Sequence, residues 1–255
     1  MDRSNGLTLK SIRLVKDQPT TGSWNMAIDD ALLAEPLPPE TAILRIYRWS
    51  PATLSLGYFQ LLEDREAHQD SQQLDCVRRA SGGGAILHDQ ELTYSFVFPS
   101  SGLSANEISD VYDLFHDSLI SVFQSRGINA QKCTNPPEMA QSGKPFLCFQ
   151  RRSSGDVLLN DYKIVGSAQR RNRHQVLQHG SILLRQSSYA PELPGILELT
   201  KIDLTSLDWL TDWLQELSCR LNSQLSNYTL THECLKTAHK IEADKFLNDQ
   251  WTHKR

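Results

Sequence analysis

Residues 78–99 read RRASGGGAILHDQELTYSFVFP. Two arginines, three consecutive glycines and a His-Asp pair run into LTYSFVFP, a stretch with strand character. Glycine has no Cβ, so three in a row permit positive φ and let another group lie directly on the main chain. The N–H groups of such a loop can face an anion or a carbonyl oxygen. A tight β-turn that needs glycine only for its shape is the alternative reading. Neither G-x-x-x-x-G-K-[ST] nor G-x-G-x-x-G occurs, so the loop is not a nucleotide phosphate loop of either kind.

Outward from this loop, residues 9–15 read as a strand. WNMAIDDALLAE follows, with Trp24, Ala27, Ile28, Ala31 and Leu32 at helical spacing. PLPPE stops that helix, since proline cannot continue it. AILRIYRW and ATLSLGYF are strand candidates punctuated by Ser50-Pro51, and residues 75–79 form another. Residues 108–123 carry one apolar helical stripe, with Gly127 as its C-terminal cap. Residues 128–146 read as irregular, with Pro136-Pro137 and Gly143-Lys144-Pro145. DVLLNDYKIVGSA and VLQHGSILL supply three more strands, with Asn160-Asp161 as a tight turn. Alternation along the second of these places Lys163, Val165 and Ser167 on one face. Two helices are expected at the end, over residues 206–221 and 232–251. Strands with helices before, between and after them predict an α/β (α+β) fold in a single domain over residues 1–255.

The bulk properties narrow the function. The 255 residues suffice for a sizeable core. A net charge of −4 gives no global case for nucleic-acid binding. Basic residues cluster locally at Arg151-Arg152 and Arg170–Arg173, as solvated faces or as docking sites for an acidic carrier protein. Five cysteines, Cys76, Cys133, Cys148, Cys219 and Cys234, never form C-x-x-C, which argues against a disulfide framework and a structural zinc site. MDRSNGLTLK has no apolar h-region, and no run approaches a membrane span, so a soluble cytoplasmic protein is expected.

RRASGGGAILHD followed by ELTYS resembles the signature of the lipoate–protein ligase and octanoyltransferase superfamily, a relative of the biotin ligases. WNMAIDDALL, YRWSPATLSLGYFQ, KIVGSAQRR, LQHGSILL and LTHECLKTAHKIEADKFLNDQW resemble further segments of it, covering nearly the whole chain. The resemblance implies a biotin/lipoate ligase-like catalytic domain with a central mixed sheet, flanking helices and a helical C-terminus. It further implies that Arg79, Gly82, Gly83, Gly84 and His88 line an acyl channel, with Gly166 and Ser167 also binding substrate.

Two chemistries occur in that superfamily. Ligases activate free lipoate with ATP, whereas transferases take octanoyl from a carrier thioester and hold it on a cysteine. Cys148-Phe149 in KPFLCFQ, and HDQELTYS in place of the ligases' His-Asp-x-Gly-Asn, resemble the cysteine-dependent octanoyltransferases acting on the glycine-cleavage H protein. The resemblance implies Cys148 as nucleophile and Lys163 as acid/base. The donor would be octanoyl-acyl carrier protein, the acceptor a lysine of a lipoyl domain on H protein or an E2 subunit. No cofactor or metal is expected, ATP and magnesium entering only if the chain is a ligase. A thiol suits the task, because exchange between two thioesters is nearly balanced and a neighbouring cation raises the thiolate fraction. Three alternatives stand beside this reading: an ATP-dependent ligase, an amidotransferase moving acyl groups from H protein to E2, and a non-catalytic acyl-carrier-binding or lipoate-binding protein. Cys133 lies in the same irregular segment and competes on proximity. Cys76, Cys219 and Cys234 read as structural.

Overall fold

The computed structural model describes residues 6–137 and 145–254. Gly143-Lys144 of the irregular segment therefore lie outside the described residues. In chain order the elements are β1 (Ser11–Lys16), α1 (Gly22–Ala34), β2 (Thr41–Tyr47), β3 (Thr53–Leu56), β4 (Asp75–Arg78), β5 (Ile86–His88) and β6 (Glu91–Pro99). Then come α2 (Ala105–Ser125), β7 (Gln131–Lys132), β8 (Val157–Leu159), β9 (Tyr162–Arg171) and β10 (Gln175–Leu183). The remainder is α3 (Ile196–Thr200), α4 (Leu210–Arg220), β11 (Gln224–Asn227), α5 (His232–Ile241) and α6 (Asp249–Thr252).

Eight strands form one mixed sheet in the order β11-β1-β2-β6-β10-β9-β8-β7, and β4-β3-β5 form a small second sheet. Period-two alternation sorts the large sheet's side chains between two helical layers. Ala42, Leu44 and Ile46 of β2, with Leu92, Tyr94, Phe96 and Phe98 of β6, pack against α2 and α4. Ile43, Tyr47 and Val97 project to the other side against α1 and α5. Both faces are covered, which explains why TAILRIY is buried at every position.

The helix ends follow local chemistry. Ser104 and Glu107 form a reciprocal capping box at the start of α2. At its far end Gly127, at φ 78°, and Ile128 return N–H bonds to Gln124 O and Phe123 O, a Schellman cap. Asn160 and Asp161 both take positive φ between paired Leu159 and Tyr162, the geometry of a tight primed hairpin.

Several sequence expectations need correction. β5 emerges from the loop segment itself, and β7 pairs with β8 inside the stretch read as irregular. The helix expected over 206–221 begins at Leu210, and the one over 232–251 breaks into α5, a π-turn at Glu242–Phe246 and α6. β11, with no apolar alternation, adds a parallel edge strand beside β1. Its position is set by the partner's backbone rather than by its own side chains.

Arg45 lies on the α1 face of β2, fully buried. Asp29 accepts from Arg45 Nη1 at 3.0 Å, Ser95 Oγ at 2.8 Å and Tyr47 Oη at 2.8 Å. Burial raises the Asp29 carboxyl from its ordinary range, and the Arg45 charge opposes that. Removing Asp29 leaves the buried Arg45 with the partly exposed Asp17, at 2.6 Å, as its remaining charged partner and strands the Ser95 and Tyr47 hydroxyls. Asp29→Ala is therefore expected to lower stability by about 3–5 kcal/mol in urea denaturation at neutral pH.

Candidate active site

A cavity of about 370 Å³ opens on the α1 side of the large sheet, between β9, β10 and the small sheet. That is near the lower end of the usual range of roughly 300–1,000 Å³ for small-molecule sites. Met26, Tyr47, Trp49 and Ile86 give it apolar wall, and Cys148, Lys163 and Asp156 cluster at one side. A larger groove of about 670 Å³ lies between α1 and the C-terminal segment and contains none of these groups.

The Cys148 position is set by the glycine loop. Cys148 N donates to Ala85 O at 2.7 Å and Ala85 N to Phe146 O at 3.1 Å, so the two segments are joined backbone to backbone. Gly84 makes that approach possible: a Cβ there would stand 3.1 Å from Cys148 N and Cα. Gly83, at φ 98°, would place a Cβ 4.0 Å from Cys148 Sγ. Gly82 and Gly83 line the cavity, whereas Gly84 stands behind the cysteine and contributes no cavity wall.

Lys163 Nζ lies 3.8 Å from Cys148 Sγ and 2.9 Å from Asp156 Oδ2. Both members of the ion pair are buried, at 7% and 1% exposure. Asp156 also accepts from Ser153 N at 2.7 Å and Tyr112 Oη at 3.4 Å. The expectation of Lys163, Val165 and Ser167 on one face fails for an identifiable reason. The β8–β9 register steps at Val157/Leu158, so Val157 faces Val165 while Leu158 faces Lys163. This bulge breaks the alternation. Val165 turns into the α2-side core, and the lysine chain crosses Gly166, where a Cβ would meet Cε at 2.3 Å.

Ser167 borders the cavity, but its hydroxyl serves the α2 side. It meets Tyr94 Oη and His116 Nε2, each at 2.7 Å. His116 Nδ1 donates to Gly155 O at 2.6 Å, so Nε2 of the neutral ring accepts from Ser167. Burial holds the His116 imidazole down to about 4, despite the raising effect of Gly155 O. His179 is likewise pushed to about 3 by burial and then by the Arg79 and His88 charges, with Nε2 on Ser81 Oγ at 2.7 Å.

Arg79 lies beside the cavity, and its guanidinium binds the loop: Nη2 donates to Gly84 O at 2.8 Å and Gly82 O at 3.3 Å. Burial draws it down to about 10, opposed by the Cys148 and Glu91 charges. Arg78 points elsewhere, donating to Thr252 O, Gly57 O and Gln60 O and so tying the C-terminal segment to the β3–β4 connection. His88 presents its ring to the cavity, stacked on Trp49 at 3.7 Å. Cys133 is buried and absent from the cavity wall, Cys76 is half-buried on β4, Cys234 is buried and Cys219 exposed. Arg170 is engaged by Asp30 at 2.6 Å, which Lys245 also pairs with, so it is not a free docking cation. Arg151 donates to Pro145 O and sits against Gly84, and Arg152 lies 3.7 Å from Asp161.

Asp156, Tyr112, His116, Ser55 and Glu91 were not anticipated. Ser55 and Glu91 sit inside the quoted segments YRWSPATLSLGYFQ and HDQELTYS without a role assigned to them, Asp156 is the acid preceding the hairpin, and no sequence signal marks Tyr112 or His116. Among the described residues no group of three His, Cys, Asp or Glu side chains is arranged to hold a metal ion. No described helix is long and apolar enough to cross a membrane.

A thiol and an ion-paired lysine thus border a partly open cavity in an α/β fold whose mixed sheet is covered by helices. The family model described as "Lipoyl protein ligase A/B catalytic domain" matches residues 21–199, and the chain belongs to that family. Octanoyltransferase LipM of Bacillus subtilis strain 168 is 28% identical over 276 residues, covering 95% of this chain and 98% of its own. Octanoyltransferase LipM of Lysinibacillus sphaericus strain C3-41 is 31% identical over 265 residues, covering 91% and 95%. In fold, the chain is similar to a structure described as a bi-partite lipoate protein ligase and its E2 lipoyl domain from Thermoplasma acidophilum. That match has TM-score 0.74 at 17% identity, covering 96% of each chain.

Two outcomes are expected. Gly83→Val adds a branched side chain at positive φ beside the sulfur, so acyl transfer should fall at least 100-fold while circular dichroism shows a folded protein. The second concerns acid stability. Folded His116 resists protonation until about pH 4, while the unfolded ring protonates near 6.5. Stability is then lost as pH falls from 6.5 toward 4 and the loss levels off below. At pH 5 this amounts to about 2 kcal/mol, and His116→Asn should shrink the difference between urea midpoints at pH 7.5 and pH 5.

Proposed function

We propose that the chain moves an octanoyl group from a carrier thioester, through Cys148, to a lysine of a lipoyl domain. One observation carries this reading: an ammonium held by a buried carboxylate lies 3.8 Å from the only cysteine sulfur bordering the cavity among the described residues. A thiol with an acid/base group in reach is the arrangement that covalent acyl transfer needs.

The Cys148 thiolate attacks the octanoyl carbonyl. A new C–S bond forms, the bond to the carrier sulfur breaks, and the departing thiolate takes a proton from Lys163. The acceptor lysine amine then attacks the acyl-enzyme, forming an amide and returning the electron pair to Cys148, while its proton passes to Lys163. Asp156 keeps the ammonium aimed at the sulfur in both steps. Gly83 borders the cavity next to Cys148, and its N–H donates to no protein acceptor among the described residues, which leaves it free for a developing oxyanion.

The named octanoyltransferase relatives support the octanoyl group, and the structure described as a lipoate protein ligase and its E2 lipoyl domain supports a lipoyl domain as acceptor. The donor is octanoyl-acyl carrier protein and the acceptor the glycine-cleavage H protein. A thioester arrives already activated, so the reaction needs neither ATP nor magnesium.

The test is intact mass after mixing with octanoyl-carrier, with and without ATP. Wild type should gain one octanoyl mass without ATP, removable by hydroxylamine. Cys148→Ala should lose adduct and turnover, and Cys133→Ala should keep both. Lys163→Ala should slow acylation by about two to four orders of magnitude. Lys163→Arg should fail to rescue, because guanidinium does not give up its proton. Modification that requires ATP and prefers free octanoate would favour the ligase chemistry instead.

A further inference from the structure

On the side of Arg79 away from the glycine loop runs a buried polar chain that the mechanism above does not use. Arg79 Nη1 donates to Ser55 O and Ser55 Oγ, each at 2.7 Å. Ser55 Oγ lies 2.7 Å from His88 Nε2, and His88 Nδ1 meets Glu91 Oε1. Thr93 Oγ1 donates to the same Glu91 oxygen at 2.6 Å and accepts from Trp49 Nε1 at 2.8 Å. Every member is buried, Ser55 completely and Trp49 least, at 5% exposure.

The direction of each bond follows from donor chemistry. Guanidinium only donates, so Ser55 Oγ accepts from Arg79. The Glu91 carboxylate only accepts, so His88 Nδ1 donates to it. Ser55 Oγ, 2.7 Å from His88 Nε2 and 3.5 Å from Ile86 O, joins the imidazole to the guanidinium. Ser-His-Glu here has the order of a nucleophilic triad, yet Ser55 is sealed from the cavity and spends its oxygen on Arg79. It is not a nucleophile.

A buried acid and a buried guanidinium linked through a histidine and a serine are costly to keep, and among the described residues Glu91 Oε2 and Arg79 Nε have no hydrogen-bond partner. An apolar replacement of such a set is often neutral or stabilising. We propose that Glu91, His88 and Ser55 are positioning residues that fix the Arg79 guanidinium. Arg79 thereby ties down the carbonyls of Gly82 and Gly84 and shapes the loop around Cys148 Sγ. What Glu91 must supply is an acceptor oxygen for His88 Nδ1. The inference rests on the acyl-enzyme reading of Cys148.

The test compares full-length Ser55→Ala, Glu91→Gln and Glu91→Leu with wild type. Rates of octanoyl adduct formation are read by mass, and the His88 ring by nitrogen-15 NMR. Ser55→Ala should slow acylation at least tenfold at saturating carrier, with KM changed less than twofold, and Glu91→Leu should remove the Nδ1-protonated His88 signature expected in wild type. Glu91→Gln keeps an acceptor oxygen and should stay within threefold of wild type, whereas Glu91→Leu should fall at least tenfold. Wild-type acylation by Ser55→Ala, or equal loss in Glu91→Gln and Glu91→Leu, overturns the proposal. Should Ser55→Ala not fold, the two Glu91 variants decide. A wild-type protein that forms no adduct refutes the acyl-enzyme reading instead, and the NMR comparison then still tests the bonding chain by itself.

Discussion

An ammonium and a carboxylate 2.9 Å apart, both almost wholly out of water, stand beside the one cysteine sulfur at the cavity. Desolvating two charges costs several kcal/mol per ion and is offset only by good geometry and further hydrogen bonds. Asp156 obtains those bonds from Ser153 N and Tyr112 Oη. The lysine reaches it because the Asn160-Asp161 hairpin returns the chain at once and the β9 bulge rotates Lys163 out of the core face. Gly166 leaves its stem a path. Behind the pair, neutral His116 joins Gly155 O to Ser167, so the loop carrying Asp156 is anchored to α2 and β9 together.

The sulfur is brought to this pair by a second device, in which no side chain of Cys148 takes part. Its main chain is bonded to Ala85, and the absence of a Cβ at Gly84 sets how closely the two segments meet. Arg79 holds the same loop from beneath through the Gly82 and Gly84 carbonyls. The glycines thus serve three ends at once: positive φ at 83, backbone approach at 84, and cavity surface at 82 and 83. Lys163 arrives on the large sheet and Cys148 on a loop bound to the small sheet, so the catalytic geometry depends on how those two sheets meet.

Much of this was legible in the residues. The helical stripes of α1 and α2, the alternation of β2 and β6, the Gly127 cap and the hairpin at 160–161 are all local, and local periodicity and turn chemistry report them faithfully. Elements without a local signal were missed. β11 has no apolar pattern because it is held by pairing to β1. β7 is two residues long, and the C-terminal helix breaks where a π-turn fits Phe246 against the α1 side of the core. Alternation also misplaced Val165 and Ser167, since a bulge is a property of two strands and cannot be read from one.

Local periodicity in the sequence determined the mixed α/β architecture, and the resemblance of its motifs to a known family singled out Cys148 and Lys163 as the groups to watch. Only the tertiary structure decided that Asp156 holds the lysine, that Gly84 backs the cysteine rather than the cavity, and that Arg78 and Arg79 serve different ends. It alone joined Glu91 to Arg79 through His88 and Ser55, residues spread over 37 positions of chain. Such contacts arise when separate strands are set side by side, and a buried charge declares its partner only once the folded core has excluded water from both.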